Sequence, residues 1–98
     1  MQLICSEEIE SKLLEKHGIE LWEVEFSFAN FEGYPLEDNR AQHRSIPTTV
    51  WFLSETHDGR VLKVVIIPEP EKGFAVLRTA YEADTQEIEL WNTNTSKT

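Results

Sequence analysis

The segment that decides the fold reads P-T-T-V-W-F-L-S-E-T (residues 47–56), H-D-G-R (57–60), V-L-K-V-V-I-I (61–67), P-E-P-E-K-G (68–73) and F-A-V-L-R-T-A-Y-E (74–82). Three runs rich in β-branched and aromatic residues are separated by two turn signals, which predicts an antiparallel meander. Asp58-Gly59 supplies the first tight turn and Lys72-Gly73 the second. Val61 to Ile67 is a nearly unbroken β-branched run and reads as the central strand, buried on both faces, with Lys63 the exception. Pro68 and Pro70 are expected to end it, because proline donates nothing to a ladder.

Working outward, Ser6 caps a first helix over residues 7–17, with Glu7 and Glu8 in the turn where the helix dipole favours acids. Ile9, Leu13 and His17 recur on one face with Leu14 beside them, and Gly18 stops the helix. Residues 23–28 alternate as E-V-E-F-S-F, a strand period. At helical spacing the same segment groups Leu21, Val24 and Phe28, with Trp22, Phe26 and Ala29 adjacent. Residues 30–49 read as loop, with a short edge strand within 31–36. Asp84 and Glu87 form a capping box that opens a short helix containing Ile88 and Trp91. The polar tail N-T-N-T-S-K-T, residues 92–98, is expected to be disordered.

Length and composition suit one domain, residues 1–91: 98 residues, 40% hydrophobic and 28% charged. No apolar run reaches the roughly 20 residues of a membrane helix. The start M-Q-L-I-C-S-E-E lacks the pattern of a secretory signal, so a cytoplasmic location is the expectation. Cys5 is the only cysteine, which excludes an intramolecular disulfide and a cysteine-based zinc site. Eighteen acids against nine lysines and arginines give a net charge of −9. Such a surface repels phosphate backbones unless its cations are gathered in one place. It is either a solubilising coat or a surface built to meet a basic protein. The acids expected on that surface are Glu7, Glu8, Glu10, Glu20, Glu23, Glu25, Glu69 and Glu71.

Several of these residues carry a resemblance. Glu15-Lys16-His17-Gly18-Ile19, followed by Val24 and Phe28, is similar to the "KHGV…F" signature of BrnT-type toxins. Trp51-Phe52, the Asp58-Gly59-Arg60-Val61-Leu62 hairpin and the strand leading to a capped helix resemble that family's second half. The nearest resemblance is to short bacterial chains bearing an L-R-T-A-Y-E-like segment, here residues 77–82. The resemblance implies an α+β, RelE-like fold: two N-terminal helices, including one over residues 21–28, on a four- to five-stranded antiparallel sheet, with a short C-terminal helix. It also implies a toxin-like component of a bacterial toxin–antitoxin module, an RNA endonuclease held by a basic antitoxin. The alternative is a non-enzymatic acidic module that binds a basic protein, as an inhibitor or nucleic-acid mimic.

The departures from the family bear on chemistry. BrnT-type toxins are basic, and where their last strand carries a basic residue this chain has Tyr81. In a regular strand Arg78 lies on the opposite face from Tyr81. Metal-independent RNA cleavage needs a base, an acid and cations for the phosphate. Arg40 and His43, gathered with Asp38 and Arg44, and Arg78 on the last strand are the catalytic candidates; Arg44, Arg60, Lys63 and Tyr81 are the substrate-binding ones. An exposed loop whose arginines pair with nearby acids is the plainer reading of the first group. The three histidines, His17, His43 and His57, lack ligand spacing, so no metal is expected, and none of the four glycines forms a phosphate-cradling loop, so no cofactor is expected. Trp22, Trp51 and Trp91 suit core positions more than base stacking.

Overall fold

The computed structural model describes residues 1–37 and 48–95. Five strands and three α-helices follow in the order β1 (Gln2–Ile4), α1 (Glu7–His17), α2 (Leu21–Asn30), β2 (Leu36–Glu37), β3 (Val50–Glu55), β4 (Val61–Glu69), β5 (Phe74–Glu82) and α3 (Thr85–Thr95). A single turn of 3-10 helix, Pro70–Lys72, joins β4 to β5. The sheet order is β1-β5-β4-β3-β2, so the β-branched run is central as its composition requires.

The sheet is mixed, which corrects the antiparallel expectation. β1 precedes the helices and pairs in parallel with β5, Leu3 opposite Ala75. Three residues carry too little periodicity to announce a strand; the open edge of β5 makes them one. β4 also runs through Pro68, which pairs with Ala75 and ends only at Glu69.

Local chemistry accounts for the helices. Ser6 Oγ accepts from the Ile9 N–H at 3.2 Å, and Gly18 closes α1 at φ 63°. Gly18 N–H donates to Leu14 O and Ile19 N–H to Leu13 O, both 3.1 Å, the first of them the bond of an αL cap. Segment 21–30 is helical despite its strand period. Val24 and Ser27 are buried on one face, and Glu20 and Glu23 exchange capping bonds at its start. α3 continues through Thr95, past Trp91 and into the segment expected to be a disordered tail. Thr93 Oγ1 and Asn94 Nδ2 donate to the Glu89 and Leu90 carbonyls at 2.9 Å each, adding side-chain bonds to that last turn.

Neighbouring residues of β3 show the layering, since successive side chains point to opposite faces. Phe52 stacks on Phe31 at 4.0 Å and meets Phe28 of α2 at 6.2 Å. Trp51 meets Trp91 of α3 at 5.9 Å. α2 and α3 therefore sandwich the sheet, while α1 packs against β5. Leu13, Ile19, Val24, Phe52, Leu62, Val64 and Leu77 form the fully buried centre. Among the described residues no helix is long and apolar enough to cross a membrane.

Candidate functional site

Lys63 is 8% exposed, so it does not reach for water as a lysine on a strand usually does. Cross-strand pairing sets Tyr81 directly opposite. Lys63 Nζ donates to Glu87 Oε2 of α3 at 2.8 Å, and Tyr81 OH donates to the same oxygen at 3.1 Å. The other carboxylate oxygen accepts from Asp84 N–H at 3.0 Å, while Asp84 Oδ1 accepts from Glu87 N–H at 2.8 Å. Glu87 thus completes the expected capping box with one oxygen and neutralises a buried lysine with the other. The ammonium also lies 4.7 Å from the Trp51 ring centroid, within cation–π range. Burial is the largest influence and works against both charges; the hydrogen bond between them, together with those from Tyr81 and the Asp84 N–H and the attraction of the opposite charges, outweighs it, holding Lys63 above the usual lysine pKa and Glu87 below the usual carboxylate value.

A second ion pair ties the β3–β4 hairpin to α2. Arg60 Nη2 donates to Glu23 Oε2, and Glu23 Oε1 accepts from Glu20 N–H at 3.0 Å. Asp58 Oδ2 stands 3.8 Å from Arg60 Nε, and the Thr56 hydroxyl donates to Asp58. Glu23 is 5% exposed, which removes it from the expected surface acids. Burial opposes its charge, but the backbone N–H and then Arg60 outweigh that and lower its pKa.

The candidate residues separate accordingly. Arg60 is bonded to Glu23 of α2, and Lys63 and Tyr81 are bonded to Glu87, so all three are engaged within the fold. Arg78 is exposed. The ladder skips it: Thr79 pairs with Val65 and Leu77 with Ile66, a β-bulge. Leu77 and Ala80 are both buried, so Arg78 and Thr79 together fall between them on the side of Tyr81. The bulge corrects the expectation, made for a regular strand, that Arg78 and Tyr81 face opposite ways. Asp38, Arg40, His43 and Arg44 lie outside the described residues. Among the described residues no group of three His, Cys, Asp or Glu side chains is placed to hold a metal ion.

A different surface was missed in the sequence. Leu14 of α1 is 57% exposed and Trp22 of α2 is 47% exposed, across a groove of about 470 Å³ between the two helices. Leu21 and Ile19 continue its apolar lining, and Glu10, Glu20 and Glu25 rim it. Trp22 Nε1 donates to Glu20 Oε2 at 2.9 Å, and its ring rests 4.8 Å from that of His57. The signal was present: Leu14 lies off the Ile9–Leu13 face, and Trp22 lies off the Leu21–Val24–Phe28 face. No protein-family model matches this chain, and no curated protein matches it.

Proposed function

We propose that this chain is a non-enzymatic acidic module that binds a basic protein. The carrying observation is the internal neutralisation of two of its cations. Arg60 in the β3–β4 turn and Lys63 within β4 are both bonded to carboxylates. RNA cleavage by a fold of this kind relies on free cations to hold the phosphate and offset its developing charge. A surface of net −9 with this arginine and lysine withdrawn instead attracts cations and repels polyanions. The two helices between β1 and β2, the central β4 and the capped α3 remain compatible with a RelE-like, BrnT-like relationship, in which the basic partner is an antitoxin.

The test pairs two assays on the purified chain. Association with a lysine-rich helical protein of similar size is expected to weaken steeply as salt rises, and a labelled RNA transcript is expected to stay intact. RNA cleavage, or association indifferent to salt, would overturn this reading.

A second reading, an RNA endonuclease toxin, draws support from the bulge that carries Arg78 to the side of Tyr81 and Lys63. It predicts growth arrest when the chain is induced in a bacterial host, relieved by Arg78→Ala and by Arg40→Ala or His43→Ala. Induction without arrest, in the absence of a partner, removes it.

A further inference from the structure

We propose that the groove between α1 and α2 is a docking site for an amphipathic helix of a partner protein, with apolar anchors on one face and lysines or arginines flanking them. This rests on the protein-binding reading above and names its surface and its ligand.

Three observations lead there. The groove is apolar where it is deepest, with Ile19 at 1% exposure, while Leu14 and Trp22 stand open at its sides. Large apolar groups left on a surface and rimmed by polar ones mark a contact site. The rim has one sign only. Segment 7–30 carries seven glutamates against Lys12 and Lys16, and Lys12 is held by Glu8 at 3.2 Å. No described cation pairs with Glu10, Glu20 or Glu25. Their field is felt inside the fold as well: burial first, and then the Glu10 and Glu25 carboxylates, push the Cys5 thiol above its usual value. Charge complementarity therefore calls for a cationic occupant with apolar anchors.

The occupant is helical for a separate reason. α1 and α2 satisfy their own backbone groups, so the groove presents side chains and no free strand edge. A segment entering it has to satisfy its own N–H and C=O groups, and a helix does so. Trp22 is the natural central anchor. Its indole is already fixed by Glu20 and backed by His57, so little side-chain freedom is lost on binding.

The probe is a synthetic peptide of about 18 residues, long enough for stable helicity on docking, with leucines on one face and lysines on the other. A control peptide replaces every lysine by glutamate. Titration into the isotope-labelled full chain, followed by NMR, is expected to shift the Leu14, Ile19 and Glu25 amides and the Trp22 indole N–H. Leu14→Ser is expected to weaken binding about tenfold, and Glu10→Gln/Glu25→Gln is expected to weaken it and flatten its salt dependence. Both changes fall on exposed positions, and unchanged thermal midpoints verify that the variants are folded. Lysine-peptide binding that shifts a different surface, or that is unaffected by both variants, overturns the groove while leaving a basic-protein binder standing. Equal binding of the two peptides, or binding of neither, overturns both.

Discussion

Changing Glu87 tests whether the buried Lys63 is held by its partner or merely tolerated. Glu87→Gln leaves one acceptor oxygen: held on the Asp84 N–H, as glutamine does in a capping box, it turns the amide NH2 toward Lys63 and Tyr81, which both donate to that position. The charge and the acceptor are lost together. A hydrogen bond to an ionised partner contributes about 1.5–3 kcal/mol. Losing the 2.8 Å bond therefore costs roughly 1.5–3 kcal/mol, and leaving the ammonium without a counter-charge at 10% side-chain exposure costs about 1 more. The total is about 3 kcal/mol, a large share of the 5–15 expected for a domain, or roughly 12–24 °C in thermal midpoint at this size. Glu87→Ala removes the cap as well and should cost about 3–5 kcal/mol. The pair Lys63→Met/Glu87→Gln removes both charges and should recover most of the loss. Urea unfolding followed by circular dichroism, with slopes compared across variants, reads these values. Glu87→Gln within about 0.5 kcal/mol of the parent, or a double variant less stable than Glu87→Gln alone, would refute the reasoning.

Three further outcomes are expected. Arg60→Met strands the Glu23 carboxylate, whose side chain is 7% exposed, at a cost of about 3 kcal/mol; adding Glu23→Gln should restore much of it, as measured by urea midpoints. Glu23 and Glu87 both ionise more readily folded than unfolded, so their contribution is present above the unfolded pKa of about 4.3 and is lost as pH falls through the lower folded values. Thermal midpoints should hold at neutral pH and fall below about pH 4, less steeply in Glu87→Gln. At Gly18 a Cβ would meet nothing within 4 Å, so Gly18→Ala carries only the strain of φ 63°, about 1 kcal/mol; a neutral result in calorimetry would mean the helix end rearranges.

The resemblance to BrnT-type toxins anticipated the helix over residues 21–28 against a local strand period. The reason lies in burial: Val24 and Ser27 reach the sheet together only at helical spacing. Arg60 and Lys63, read from their places on the hairpin and the central strand as substrate-binding candidates, are both bonded across elements, Arg60 to Glu23 37 positions away and Lys63 to Glu87 24 away. A lone lysine in a β-branched strand is itself a request for a nearby acid. Nothing in its neighbourhood names which of eighteen acids answers.

By itself the sequence determined the features whose causes lie within a few residues of one another. The Ser6 cap and Gly18 stop of α1, the Asp58-Gly59 hairpin, the buried β4 and the Asp84–Glu87 box all follow from dihedral preferences, local hydrogen bonds and hydrophobic periodicity. Only the tertiary structure decided the parallel pairing of β1, the bulge at Arg78, the burial of Glu23 and the open groove between Leu14 and Trp22. Each depends on which surfaces meet after the elements form. A strand edge pairs with whatever reaches it, and a charge is buried or left free according to the partner that packing brings within hydrogen-bond distance.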